Sequence, residues 1–256
     1  MTIKQIIYSA SLLVFIAGCD KAEKSIGSPS LEMEFDVEYP GVASKATMTG
    51  FESGDIVGLY MTEWIEDTPV KLTASGNTVN NARLTFDGKS WESRPKTWWN
   101  VDTKYDVYGY YPYATPTSVD EYRFSVQEDQ SSLKDGSSLG GYEASDFLWT
   151  KTSGVYYPQR VGLKFTHKMS RLVINLLKGE DFESDFPDDI VVKIHSVVTD
   201  AVIDLGAGVV TKDPHATTRS IIARKEAEGK YAAIIVPQNM TRRQPLVEIL
   251  SCGVSY

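Results

Sequence analysis

The chain has 256 residues, of which 42% are hydrophobic and 23% charged. That is enough apolar material for the packed core of one large or two ordinary domains, and it argues against disorder. A formal net charge of −8, with Arg242-Arg243 as the densest basic spot, counts against a nucleic-acid surface, which needs a basic patch. Cysteine occurs only at 19 and 252, so core packing and hydrogen-bond ladders, not disulfides, must hold the fold. The 14 tyrosines, many beside Val, Thr and Phe, belong to the vocabulary of strands.

Residues 1–19 read MTIKQIIYSASLLVFIAGC. Lys4 precedes an apolar stretch from Ile6 to Ile16, and the small residues Ala17-Gly18 stand before Cys19. A basic start, a short apolar stretch and small residues at the cleavage point make a secretory signal peptide. The stretch falls short of the about 20 apolar residues that a membrane-spanning helix wants. Its end, Phe15-Ile16-Ala17-Gly18-Cys19, resembles the bacterial lipobox. That resemblance implies removal of residues 1–18 and coupling of the Cys19 sulfur to lipid. Each buried acyl CH₂ contributes about 0.8 kcal/mol, so several chains anchor a protein firmly where one holds only marginally. The run Asp20–Ser30, charged and carrying Ser, Gly and Pro, predicts a flexible tether over residues 19–34. The folded part is therefore expected in an aqueous compartment beyond the inner membrane.

From about Glu32 onward, alternation dominates. Asp55–Tyr60 predicts a short strand opened by the Ser53-Gly54 turn. Asp87-Gly88, between Leu84–Phe86 and Lys89–Trp91, predicts a two-residue type I′ hairpin. Tyr105–Tyr111 predicts a strand stopped by Pro112. Val161, Leu163 and Phe165 alternate with Gly162, Lys164 and Thr166, which predicts one buried face, and Leu172, Ile174 and Leu176 repeat the pattern. Further strands are expected at 190–198, 201–205 and 231–236. Ser220–Glu228 has some helical character but is short and uncapped, so a loop or a single turn is expected there. Short strands with turn residues between them argue for β-sandwich architecture. A composition shift near Thr150–Tyr157 suggests two sandwiches in series, over residues 35–153 and 154–256.

Candidate chemistry is sparse. His167, His195 and His215 are scattered, without the paired spacing of a zinc site. No phosphate-cradling Gly-rich loop is expected, nor a Gly-x-Ser-x-Gly elbow carrying a nucleophile. Gly179–Asp189 holds Glu180, Asp181, Glu183, Asp185, Asp188 and Asp189. Phe186 stands where a calcium loop turns on Gly and Val192 where it closes on Glu, so a solvated acidic loop is the better reading. The aromatic group Trp91, Trp98, Trp99, Tyr108, Tyr110, Tyr111 and Tyr113 could stack sugars, but strand alternation favours core packing. No cofactor, no metal and no enzymatic activity are expected. Cys252 would be the sole free thiol of the mature chain.

Several strings occur in a telling order. They are Gly54-Asp55-Ile56-Val57-Gly58-Leu59-Tyr60, Trp98-Trp99, Tyr108-Gly109-Tyr110-Tyr111-Pro112-Tyr113 and Asp129-Gln130-Ser131. Then come Ser145-Asp146-Phe147-Leu148, Leu163-Lys164-Phe165-Thr166-His167-Lys168-Met169-Ser170 and Ala232-Ala233-Ile234-Ile235-Val236-Pro237-Gln238. With the lipobox leader, this set resembles the fimbrillin-like family of Bacteroidetes lipoproteins, which includes major, minor and tip subunits of type V pili. The resemblance implies an all-β fold of two tandem transthyretin-like β-sandwiches after the signal peptide. It also implies lipidation, passage to the outer membrane, and removal of the N-terminal stretch by a trypsin-like protease. Loss of the first strand would then open a groove for a strand of the next subunit.

Lys45 occupies the place of the family's cleavage site, where arginine is the more usual residue. An exposed loop lysine of no special role is the equal alternative. Family members generally continue beyond the equivalent of Tyr256, which implies a second sandwich lacking part of its sheet. The expected function is a structural or adhesive fimbrial subunit on the cell surface. Its expected partners are the membrane through the lipid, other pilin subunits by strand addition, and host or bacterial surface ligands. The alternative is an outer-membrane lipoprotein that binds glycans without polymerising.

Overall fold

The computed structural model describes residues 31–41, 50–135, 138–180, 185–240 and 245–256; Cys19 and Lys45 lie outside these segments. The described chain is all-β, with nineteen strands and one five-residue helix. In chain order the first ten strands are β1 (Phe35–Glu38), β2 (Ile56–Ile65), β3 (Thr68–Pro69), β4 (Val79–Phe86), β5 (Trp91–Arg94), β6 (Tyr105–Tyr111), β7 (Tyr122–Ser125), β8 (Leu148–Val155), β9 (Val161–Lys164) and β10 (Thr166–His167). The helix α1 (Gly141–Ser145) stands just ahead of β8.

An antiparallel sheet in the order β10-β8-β6-β2-β4-β5, with β3 paired to the end of β2, organises this part. Its middle strand β6 is buried at every position. A strand buried on both faces needs a core on each side. On one side Val57, Leu59, Met61, Val107 and Tyr111 join Phe35, Val161 and Leu163. On the other, Tyr60, Tyr108 and Tyr110 join Phe147, Ile194, Ile203 and Tyr231. Glycine is required where the Tyr110 ring crosses its cross-strand partner Gly58, because a Cβ there would lie 2.1 Å from Tyr110 Cε1.

The expected two-residue hairpin at Asp87-Gly88 is instead a four-residue loop, since Phe86 pairs with Trp91. The Asp87 carboxylate accepts the N–H groups of Lys89 and Ser90, each at 2.7 Å, and this side-chain turn outcompetes the tighter one.

The remaining strands are β11 (Ser170–Asn175), β12 (Val191–Val198), β13 (Asp200–Asp204), β14 (Val209–Lys212), β15 (Thr218–Ile222), β16 (Arg224–Ala227), β17 (Lys230–Ile235), β18 (Val247–Ser251) and β19 (Val254–Ser255). They form sheets in the orders β11-β17-β16, β15-β12-β18-β19 and β14-β13-β7. The last includes β7, so a strand from the first half of the chain completes a sheet of the second. The expected division at 153/154 falls within β8, and β9 and β10 pair back to β1 and β8.

Ser220–Glu228, expected as a loop or turn, forms the end of β15 and all of β16. Ile221 and Ala223 are buried, and the Glu226 carboxylate, only 3% exposed, sits between Arg171 at 2.5 Å and Lys230 at 3.0 Å. Tertiary pairing overrides the local helix preference of that run. A second buried carboxylate, Asp106, receives Lys151 Nζ at 2.9 Å, Trp64 Nε1 at 2.8 Å and the Gly154 N–H at 3.1 Å.

Candidate functional site

Leu31-Glu32-Met33-Glu34-Phe35-Asp36-Val37-Glu38 alternates apolar and acidic residues without a break. In an extended chain this puts the two sets on opposite faces. Three of the four apolar residues face inward: Met33 and Phe35 are buried in the first core and Val37 packs against it, whereas Leu31, at the start of the segment, is 48% exposed. Part of this segment, Leu31–Glu34, belongs to the stretch expected as tether.

The segment is paired on both edges, over different spans. Phe35–Glu38 runs parallel to β9 in the register Phe35↔Val161, Asp36↔Gly162, Val37↔Leu163 and Glu38↔Lys164. Val161 N–H donates to Glu34 O at 2.9 Å, and Phe165 N–H to Glu38 O at 3.0 Å. On the other edge, Met33 N–H donates to Thr97 O at 2.8 Å and Trp99 N–H to Leu31 O at 2.7 Å. Past Met33 that edge opens onto a cleft of about 830 Å³, bordered by Phe51, Phe86 and Trp91–Ser93.

The acidic set faces outward, onto cations of the neighbouring segments. Glu32 meets Lys96 Nζ at 2.9 Å. Arg160 spans two carboxylates: it pairs with Glu34, and its Nε and Nη2 hold Asp36 at 2.9 and 2.8 Å. Glu38 meets Lys164 Nζ at 3.4 Å. Behind β1, the Tyr39 phenol donates to Asp146 at 3.5 Å, and His167 Nδ1 lies 2.9 Å from the same carboxylate. Burial first, then the Asp146 charge, push the Tyr39 phenol well above its ordinary range. Lys45 falls between β1 and β2 in the sequence, within residues outside the described segments, as does Cys19.

Other candidates resolve differently. Of the aromatic group, Trp99, Tyr108, Tyr110 and Tyr111 are buried, whereas Trp98 is 55% exposed. His195 lies 2.6 Å from Ser220 Oγ through Nδ1 and 2.9 Å from Glu248 through Nε2. These three are neighbours across β15, β12 and β18, and Ser255 Oγ donates to the same Glu248 at 2.6 Å. The Ser255 hydroxyl first, then His195, hold the Glu248 carboxyl below its usual range. The group is a cross-strand hydrogen-bond ladder. Sequence reasoning missed it because only sheet pairing brings the three together.

Gly136-Ser137-Ser138-Leu139-Gly140 does carry the spacing of a nucleophile elbow, contrary to expectation. However, Ser138 pairs its backbone with Asp135 in a loop, whereas an elbow needs a strand running directly into the serine. Part of the acidic run lies outside the described residues; its end, Asp189, accepts the Cys252 N–H and the Ser251 hydroxyl and so caps the β18–β19 turn.

Comparison with known proteins places this geometry in context. The profile of the family described as fimbrillin-like matches residues 44–255. A Bacteroides ovatus protein assigned as the fimbrium tip subunit Fim1C is 24% identical over 191 residues, covering 67% of this chain and 34% of that protein. The chain thus spans about a third of the length of this curated relative. Among crystal structures, a protein assigned to cell adhesion from Bacteroides ovatus superimposes with a TM-score of 0.67 at 18% identity, covering 89% of this chain and 84% of the other. A fimbrial protein from the same species gives 0.54 at 16% identity, covering 89% and 45%. These likenesses show a shared fold. With the profile spanning most of its length, the chain belongs to the fimbrillin-like family.

Proposed function

We propose that the chain is a structural and adhesive subunit of a bacterial surface fimbrium. On this reading it is lipidated on Cys19, carried to the outer membrane, and cut after Lys45. It then joins its neighbours by strand exchange in the seat of β1. It performs no turnover; its work is binding and holding.

One observation carries the reading. The strand that precedes Lys45 is an insert, seated between Thr97–Trp99 and β9 by main-chain bonds on both sides and by Met33, Phe35 and Val37 below. A cut after Lys45 leaves that strand without a covalent tie to its seat. Its departure would strip Val161 and Phe165 of their acceptors and expose the apolar floor. Apolar surface returned to water costs about 25 cal/mol per Å², and the freed N–H groups along β9 form an open edge, so the empty seat is a strong template for another strand. The fimbrial and adhesive assignments of the relatives support the same reading.

The test uses the chain from Asp20 onward, nicked by limited trypsin with the cut at Lys45 verified by mass. Unboiled denaturing gels should show a ladder that collapses on boiling. Nicked chains that stay monomeric at all concentrations would overturn strand exchange. Feeding expressing cells a clickable fatty acid should label the full chain and not a Cys19→Ala variant; an unlabelled wild type would remove the lipid anchor.

A further inference from the structure

We propose that the seat of β1 selects its occupant by charge: the incoming strand carries acidic residues at alternate outward positions, directed at Lys96, Arg160 and Lys164. This rests on the strand-exchange reading and names the chemistry of the partner. The partner is an extended segment of a neighbouring subunit, apolar and acidic by turns, lying parallel to β9 as β1 does.

The period of a strand fixes which face is buried: a slip of one residue would turn the apolar set outward, and burial forbids it. Hydrophobic alternation alone does not distinguish this strand from another apolar-inward strand with different outward residues. The rim does, because every outward acid of the resident strand has a cation set against it. Lys96 faces Glu32 at one end, Arg160 bridges Glu34 and Asp36 in the middle, and Lys164 faces Glu38 at the other end. The guanidinium in particular fits carboxylates two residues apart, a spacing that only an extended chain presents.

The same rim acts against wrong partners. Once residues 31–38 leave, their four carboxylates go with them, and Lys96, Arg160 and Lys164 form a line of uncompensated positive charge in a chain whose net charge is −8. Lys89 lines the adjoining cleft and adds to it, while Glu92, also on that cleft, is engaged with Arg94 at 3.4 Å. A strand with basic outward residues would meet like charge at each position, which is discrimination by repulsion. Exposed pairs of this kind add little affinity but bias partner choice.

The test uses the full chain from Asp20, with Cys252→Ser, nicked at Lys45 and still holding its own strand. Three octapeptides compete for the seat: residues 31–38 as they stand, the same with Gln or Asn at the four acidic positions, and the same with Lys there. Release of the resident segment is followed by mass spectrometry. The acidic peptide should displace it at least tenfold more effectively than the basic one, with the neutral peptide between. The gap should shrink as salt is raised, a measurement on the unaltered sequence of the seat that depends on no variant folding. Arg160→Glu with Lys164→Glu should narrow or invert the order. Three peptides that displace equally would overturn the charge code and leave strand exchange standing. If none displaces the resident strand, strand exchange itself fails and takes this inference with it.

Discussion

Replacing Phe35 by alanine should loosen β1 without loosening the sheet it completes. Phe35 is 5% exposed and sits among Met33, Val161 and Leu163. Truncating a core phenylalanine costs about 3–5 kcal/mol, the lost transfer energy plus the cavity left behind. Because β1 is joined to the body by a few main-chain bonds and three inward side chains, that loss falls on local opening of the strand. At about 1.4 kcal/mol per factor of ten, the open population should rise by about 10²-fold to several thousandfold. Hydrogen exchange followed by mass spectrometry reads this directly. Peptides over Glu34–Glu38 and Val161–Phe165 should lose protection, because the Val161 and Phe165 amides donate to β1 carbonyls. Peptides over β6 should keep theirs. Unchanged protection at β1, or protection lost only together with β6, would refute the view of β1 as a separable insert.

Asp106→Asn should lower stability by about 2–4 kcal/mol, since it leaves Lys151 partly buried without its counter-charge, and adding Lys151→Met should recover part of it; thermal melts of the single and double variants would check both. Gly58→Ala should cost about 1–3 kcal/mol or more, because the Tyr110 ring must leave its place, and a chemical-denaturation midpoint equal to wild type would contradict that packing.

Stability should also fall with acid. Burial pushes Asp106 and Glu226 up, but the bonds from Lys151 and Trp64, and from Arg171 and Lys230, outweigh it, so both carboxyls end below their ordinary values. The folded state therefore binds fewer protons than the unfolded one near pH 4; the contribution is complete above that range and lost as pH falls through the folded values. Urea midpoints should drop between pH 6 and pH 3, less so in Asp106→Asn, and a flat profile would contradict the assignment. At the other extreme, burial pushes Tyr60 up to about 12, so its ionisation should follow that of exposed tyrosines in an ultraviolet titration, and folded-state stability should decline above about pH 10.

Local pattern made much of the fold legible. Tyr105–Tyr111 announces itself by strand-forming residues that run into Pro112, and it is β6; Val161–Phe165 announces itself by alternation, and β9 covers Val161–Lys164 of it. What escaped depends on pairing. β7 joins β13 far along the chain, and β16 is a strand because it pairs with β17 through the turn at Glu228-Gly229, with Glu226 held by Arg171 of β11 and Lys230 of β17. No local pattern in Arg224–Glu228 carries that information, and its helix-forming residues point the other way. The seat of β1 was half visible. The apolar–acidic alternation of residues 31–38 is plain in the sequence, yet its first half reads as the end of a tether, because the partners that fix it, Thr97, Arg160 and Val161, lie far along the chain. The Asp87 loop shows the smaller failure, in which one side chain's hydrogen bonds changed a turn that the dipeptide alone predicted.

Locking β1 in its seat tests the central claim most directly. Asp36 and Gly162 are partners in the parallel register, and the Cβ direction at Gly162 is open, so Asp36→Cys with Gly162→Cys can form a disulfide across the two strands. The exposed Cys252 is replaced by serine in the same chain. After cleavage at Lys45, the oxidised protein should remain monomeric and the reduced protein should assemble into a heat-sensitive ladder. Equal assembly in both states would mean that subunits join somewhere other than the seat of β1.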